Sequence, residues 1–598
     1  MIPTPSPSLT GKSTLPSRLP LGTRFEHRFL AFLFLVMLAL RTLHCFNYQF
    51  DSDEAQHLHV VWGWANGLLQ YRDIFDNHAP LFHLVCTPVF KLFPERPDIL
   101  VVMRLCMVPL WVFCLWCIFQ MGSTLYGRRL GLWAALLAGL NPRFFSTATE
   151  FRADDLWIAA WFCTLAVLVS GALTPKRFFG VGFLLGITFA VSLKTVMLLI
   201  SLLLAGLVAL AFLWRAGSKP RPLQLIRGAF LMVAGMAIVP ACLILMYSSQ
   251  GALKDLYYGT VGHNIVPGLK RSSQWTENVL MCLPVLVLLI PTAAWIFKSV
   301  PDLGRGARRA LLFMVPGFYF VLLYGLWPDV TRESILPFSP LAVLAGACGL
   351  FFLAGWIARR AVALPAYTLF ALVALIECLW LATTEKPWLN RTNGYIRVVA
   401  AALDLTKKGD YLMDGCAGCI YRPRPFYYAL ETVTRARMRR QLINDDVPEQ
   451  MIAVRTAVAR ISGQPKSMRA FAFIKENYLP ILPPGDDLRV IGKMLACGED
   501  PAVFTFDVVA PGEYVLLNES DYPPAQHVGK NAVPSPKLPG PVRPMAEGVL
   551  DGIPLTGRRD LAPGRHEFRR GAGSGRVALF WAQAYAKGYS PFAFQDNN

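Results

Sequence analysis

Long apolar runs separated by short polar loops fill the first two thirds of this chain. A run of about 20 residues suffices to cross a ~30 Å hydrocarbon core as a helix. Such runs, or close approaches to them, lie near 29–46, 100–121, 129–147, 155–173, 178–191, 195–214, 228–247, 278–297, 309–327, 335–357 and 361–382. They predict a polytopic α-helical membrane protein with about 11 spans. Residues 1–28 are rich in Pro, Ser and Thr and read as a disordered cytoplasmic tail. Arg24 and Arg28 precede the first run without a small-residue cleavage site, so that run is expected to be retained.

Charge in the loops sets an orientation. With the N-terminus inside, the inner loops carry Arg128/Arg129, Lys176/Arg177, Arg215–Arg227, Lys298–Arg309 and Arg359/Arg360, all short and basic. The opposite face then receives the loop 47–99, the turns at 142–154 and 192–195, the loop 248–277, the segment 328–334 and everything after about 383. The chain is expected to be a multi-pass protein of the cell inner (plasma) membrane with its C-terminal region extracytoplasmic (periplasmic).

The loop 47–99 has its own periodicity. Leu58, Val61, Trp62, Ala65, Leu68 and Leu69 follow helical spacing after Glu54. Pro80 opens a second run through Leu81, Leu84, Val85 and Val89, with Pro88 as its expected break. Two amphipathic helices on the outer membrane surface are predicted, with Trp62, Trp64 and Tyr71 at headgroup depth. After Leu381 hydropathy falls while Pro, Gly and charge rise. Residues 383–500 mix helical and strand patterns and predict an α/β subdomain; 501–598 alternate as short strands between Gly/Pro turns and predict a β-sandwich. That region reads either as a carbohydrate- or acceptor-binding module or as a packing domain over the active-site mouth. Cys416 and Cys419 form CAGC, with Cys497 further on. Outside the cell one disulfide within this set is expected ahead of a zinc site, with the pairing open.

Composition narrows the function. Hydrophobic residues are 54% of the 598, charged residues 16%, and the formal net charge is +19. The basic excess sits largely in inner loops, so membrane topology accounts for much of it. No zinc-finger, helix-turn-helix or P-loop pattern points to nucleic acid or ATP.

Ionisable residues nevertheless crowd one face. Asp51, Asp53, Glu54, His57, His59, Asp73, Asp76 and His78 fall in the first outer loop. In a membrane protein such a cluster points to chemistry. Asp53 and His57, four apart, share one helix face; the alternative for Asp51, Asp53 and Glu54 is helix capping. The turn NPRFFSTATEFRADDLW adds Glu150, Arg152, Asp154 and Asp155, which could also be ordinary helix-end charges. Lys194 in SLKT either snorkels or meets a phosphate. GHNIVPGLKR contributes His263, Lys270 and Arg271, and WPDVTRESILP contributes Asp329, Arg332 and Glu333.

The ordered set DSDEAQHL, YRDIFDNHAPLF, FRADDLW and SLKT resembles the GT-C integral-membrane glycosyltransferases, in particular the bacterial dolichyl-phosphate-mannose–protein mannosyltransferase and aminoarabinose transferase group. The resemblance covers most of 29–382 and implies that this segment is the catalytic domain. It implies an inverting transfer, on the extracytoplasmic side, of a sugar from a polyprenyl-phosphate donor to a hydroxyl acceptor (glycolipid, glycan or protein). It further implies Asp53 as general base, accompanied by Glu54, and Asp154 as a second functional acid. Where relatives commonly carry a Lys before Pro-Pro, this chain has His78 and Ala79. Phosphate contacts are therefore expected from His78, Lys194, Arg332 and Arg152. His57, Asp76 and His263 are the substrate or metal candidates; a divalent metal ion is the only cofactor the resemblance admits, and nothing in the sequence fixes it.

The rival reading is a lipid or sugar transporter or flippase without transferase activity. Transporters place coupling charges near the midplane and carry internal repeats, whereas no repeat is evident here and the charges gather at one boundary. A sensor with an external β-domain leaves the acidic first loop unexplained.

Overall fold

The computed structural model describes the chain except for residues 1–22, 219–220, 267–274, 328–329, 361–364, 366, 462–466, 497–499, 524–536, 538–543 and 595–598. Most of the expected tail, together with Lys270, Arg271, Asp329 and Cys497, lies outside the described residues. Contacts divide the chain into a helical unit (Met1–Cys45, Leu105–Gln250, Lys270–Trp388) and a mixed unit (Phe46–Arg104, Gly251–Leu269, Leu389–Asn598). The first outer loop is thus grouped with the C-terminal residues, which differs from the division expected at 382/383.

Among the described residues, eight helices are long and apolar enough to cross a membrane: Arg24–Asn47, Ile99–Tyr126, Thr195–Arg215, Pro222–Ser249, Val279–Lys298, Leu303–Leu326, Ser339–Ile357 and Thr368–Glu385. The chain is a polytopic helical membrane protein. Its first helix begins at Arg24, inside the segment expected to be a tail. The cause is Glu26, which is fully buried and accepts hydrogen bonds from Arg129 and Trp133 at 2.8 Å each. Three of the 11 expected spans are the shorter helices Arg128–Leu140, Ala153–Val169 and Pro175–Val191. The 129–147 run breaks at Asn141, whose side chain caps a separate short helix, Pro142–Thr147.

Small residues let two of these helices pack backbone to backbone. A Cβ at Gly182 would lie 1.9 Å from the carbonyl oxygen of Met232, so the helices Pro175–Val191 and Pro222–Ser249 meet where only glycine fits. Arg41 reaches from the first helix to the carbonyl of Phe145 and the hydroxyl of Thr149, both at 2.6 Å, and to the carbonyl of Ala148. This satisfies the end of the short helix and pins the turn that carries Glu150 and Arg152.

In the mixed unit the first outer loop forms the helices Ser52–Ala65 and Leu81–Phe90. Pro88 does not break the second, which runs on to Phe90; so near the C-terminus its missing N–H removes a single bond. The first helix is buried from Glu54 to Val61, and Tyr71 is 3% exposed, not placed at a surface. The reason is local: the polar side chains of this loop find partners inside the unit.

The C-terminal residues supply strands β1 (Leu412–Met413), β2 (Val458–Ala459), β3 (Tyr478–Pro480), β4 (Arg489–Leu495), β5 (Val503–Val508), β6 (Gly512–Asn518), β7 (Gly548–Leu550), β8 (Ile553–Leu555), β9 (Arg559–Leu561), β10 (Gly564–Arg570) and β11 (Val577–Trp581). One seven-stranded sheet runs β1-β2-β4-β11-β6-β9, with β3 also on β4; a four-stranded sheet runs β5-β10-β7-β8. All pairings are antiparallel except β1 with β2. Because side chains alternate along a strand, Val577 and Leu579 of β11 join a core shared with Phe504, Phe568 and Leu550 of the other sheet. Ala578 and Phe580 face a second core with Val398, Ala402 and Leu405 of the helix Asn393–Leu405. The result is a helix layer, a sheet and a second sheet. Since β4 pairs with β11, the residues on either side of 500 share one sheet instead of forming separate subdomains. An all-apolar strand such as β11 is stable only with neighbours on both edges and cover on both faces.

Candidate active site

In the helical unit, the charged turns predicted from sequence come together. Arg152 is the residue before the helix Ala153–Val169, and Asp154 and Asp155 occupy its first turn, where carboxylates complement the helix dipole. Arg332 binds Glu150 at 2.6 Å and Glu333 at 2.8 Å. Arg152 lies 3.4 Å from Glu150, 3.5 Å from Asp154 and 3.7 Å from Glu333. Lys194 is 3.5 Å from Asp154, with its ammonium 5.9 Å from the centre of the Trp157 ring. Trp157 in turn donates to Thr195 at 2.9 Å.

This is one continuous network with a gradient of exposure. The side chains of Glu150, Arg152, Asp154 and Glu333 are at most 11% exposed, whereas Lys194 and Arg332 are 28% and 30% exposed. Buried carboxylates therefore hold two cations at the network's open ends. Burial acts to raise the Glu333 pKa, but the Arg152 charge and hydrogen bonds from Thr331 and Arg332 outweigh it and keep the carboxyl below its usual range. An assembly of this kind can accept an anion at its open ends without carrying unpaired buried charge.

In the mixed unit the acidic start of the first outer loop separates into distinct tasks. Asp51 and Glu54 form a capping box on the helix Ser52–Ala65. Glu54 is also fully buried and takes a two-point ion pair from Arg104, at 2.7 and 2.5 Å. Arg104 further donates to the carbonyls of Tyr48 and Gln49 at 2.6 and 2.9 Å, and lies 4.4 Å over the Phe50 ring. Glu54 thus anchors the start of this helix. Asp53 is half-buried in the same first turn.

Deeper in the loop lies a polar cluster around Asp76. The fully buried Asp76 accepts from Gln56 at 3.1 Å, Gln70 at 2.8 Å and His78 at 2.9 Å, with His83 3.7 Å away. His57 and His83 share a hydrogen bond of 2.9 Å, and the His57 ring packs 4.5 Å from that of His78. Burial acts to raise the Asp76 pKa, yet the charges of His78 and His83 and its hydrogen bonds hold it below the usual range. Burial pushes His83 down to about 4, against the attraction of Asp76, and burial likewise takes His59 to about 4. Histidines buried in the neutral form stabilise the fold fully above their unfolded value, ~6.5. Their contribution is lost as pH falls from there toward 4. The melting temperature of the protein is expected to drop over this window, and His83→Gln, which cannot titrate, to flatten the drop. Identical pH profiles for the two proteins would refute the assignment.

His263 is buried elsewhere in this unit. Its Nε2 lies 3.1 Å from Glu431 and 3.2 Å from Thr434, and its ring packs 4.7 Å from that of Phe75. Among the described residues no group of three or more His, Cys, Asp or Glu is disposed to hold a metal. The His263 ring nitrogen facing Glu431 and Thr434 serves a structural bond.

Cys416 and Cys419 are free thiols, so neither forms the disulfide expected within the set Cys416, Cys419 and Cys497, of which Cys497 lies outside the described residues. Their turn is wound about the Asp414 carboxylate, which accepts from the amides of Cys416, Gly418 and Cys419 at 3.0, 2.8 and 2.9 Å. Gly418, at φ +52°, passes so close to Arg422 that a Cβ would meet its carbonyl oxygen at 2.0 Å. Burial, followed by the charges of Asp414, Asp53 and Glu431, pushes the Cys416 thiol up to about 12, despite Arg424. His59 ties the first outer loop to this turn through the Ile420 carbonyl at 3.0 Å.

Arg104, His83, Asp414 and Glu431 escaped the sequence reading. For Arg104 a signal existed, a lone cation inside the apolar run ILVVMRLCMV. The others sit in ordinary local contexts.

Three comparisons bear on relationship. The structure of ArnT from Cupriavidus metallidurans bound to undecaprenyl phosphate is similar at 14% identity and a TM-score of 0.49, covering 78% of this chain and 98% of that one. The oligosaccharyltransferase AglB from Archaeoglobus fulgidus, in complex with an inhibitory peptide and a dolichol-phosphate, is similar at 11% identity and a TM-score of 0.41, covering 73% of this chain and 70% of that one. No curated protein matches the chain. Residues 77–246, which hold His78, Glu150, Arg152, Asp154 and Lys194, match the family model of dolichyl-phosphate-mannose-protein mannosyltransferase. Over that segment the chain is similar to the membrane mannosyltransferase family that its loop motifs resemble.

Proposed function

We propose that this protein is an inverting glycosyltransferase that moves a sugar from a polyprenyl-phosphate carrier to a hydroxyl acceptor on the extracytoplasmic face of the membrane. The observation that carries this reading is the network in which buried Glu150, Asp154 and Glu333 hold Arg152, Lys194 and Arg332. The family match over 77–246 supports it, as do helices of membrane length. The acceptor hydroxyl loses its proton to Asp53 as its oxygen attacks the anomeric carbon. The bond from that carbon to the phosphate oxygen breaks, and the polyprenyl phosphate leaves with the electron pair. Lys194, Arg332 and Arg152 are the proposed contacts for the charge that grows on the departing phosphate, with His78 as a further contact.

The test supplies the purified protein with a polyprenyl-phosphate sugar and an extract of envelope glycolipids and glycoproteins, and measures free polyprenyl phosphate. Release that depends on the extract is expected, with Lys194→Met raising the donor KM. Mass spectrometry of envelope glycans from a deletion strain would identify the acceptor. Movement of the donor across a bilayer without release would favour the transporter.

A further inference from the structure

We propose that the mixed unit carries a second ligand site, a pocket at one end of its seven-stranded sheet that binds a neutral glycan chain. The hollow measures about 400 Å³, toward the lower end of the range for small-molecule sites. It forms where β11 ends at Trp581, opposite Tyr514 of β6, and where the segments around Asp410, Arg455 and Gln583 converge.

The lining has the chemistry of sugar recognition. Asp410, Arg455 and Gln583 bring planar polar groups with paired acceptors or donors, the shape that matches neighbouring hydroxyls on a ring. Tyr411 and Trp581 bring aromatic surface suited to the C–H face of the same ring. One carboxylate and one guanidinium give no charge excess. A phosphate ligand would call for several cations or a helix N-terminus.

The position of Arg455 adds a second line of argument. It follows the end of the helix Val447–Ala453 in the left-handed region, at φ +52°, where glycine is the usual residue. Its side chain is exposed and lines the pocket. An arginine here strains the backbone and gains nothing from burial. What it supplies is a guanidinium at the pocket, and strain of this kind concentrates at functional positions. Asp410 is held by the Lys407 amide at 2.7 Å and Gln583 by the Leu405 carbonyl at 2.8 Å, so both are positioned before any ligand arrives.

As the place where a glycan acceptor is held, the pocket rests on the transferase reading; as a binding site it stands apart from it. The full-length protein in nanodiscs is presented with a panel of neutral oligosaccharides, and intrinsic tryptophan fluorescence is followed. Saturable binding is expected to weaken at least tenfold in Arg455→Gly and in Tyr411→Ala. Arg455→Gly should melt at or above the wild-type temperature, because glycine suits φ +52°. Absence of binding across the panel, binding untouched by Arg455→Gly, or displacement by inorganic pyrophosphate would each overturn the proposal. Glycan binding by a wild-type protein that never releases polyprenyl phosphate would keep the pocket and remove the transferase. Release without glycan binding would do the reverse.

Discussion

Asp53→Asn in the purified protein is expected to lower the rate of sugar transfer by roughly 10²–10⁴-fold, the usual contribution of a positioned general base. The substitution keeps the shape of the side chain and removes its ability to take a proton. Folding should survive because the capping box on the helix Ser52–Ala65 is formed by Asp51 and Glu54. Kinetics should then separate the terms: kcat falls, while the KM for the polyprenyl-phosphate donor changes little. An unchanged melting temperature is the control. Normal transfer by Asp53→Asn would remove this residue from the mechanism and leave Asp154 as the remaining acid of the expected pair.

The second large effect is on stability. Arg104→Met is expected to cost about 3–5 kcal/mol, because it strands the Glu54 carboxylate without its cation in a fully buried position. Adding Glu54→Gln should recover most of the loss. A glutamine at the third helical position still completes a capping box, and a neutral amide tolerates burial far better than a bare carboxylate. Recovery should be incomplete, since the Tyr48 and Gln49 carbonyls also lose a donor. Thermal unfolding of the four proteins in one detergent measures the cycle. If the double variant is no more stable than Arg104→Met, the ion pair is not the source of the cost.

These two variants also separate neighbours that sequence alone lumped together. Asp51, Asp53 and Glu54 look equivalent in DSDE, and capping or catalysis accounts for any of them. In the structure Arg104, 50 residues on, occupies Glu54. A much nearer neighbour governs Cys416 and Cys419. CAGC invites a disulfide, yet the backbone amides of that turn close on Asp414, a residue that gave no sign in the sequence of being a partner.

What the sequence settled by itself is membrane character. Apolar run length is a local quantity, and the hydrocarbon core tests it segment by segment, so it survives without knowledge of packing. The clustering of Glu150, Arg152 and Asp154 was equally legible, because one turn holds them together along the chain. Tertiary structure alone brought Arg332 and Lys194 onto that turn, joined β4 to β11 across residue 500, and buried Tyr71 and His83. Partner choice and burial depend on contacts between residues tens to hundreds of positions apart, and nothing in a local window specifies which buried charge meets which.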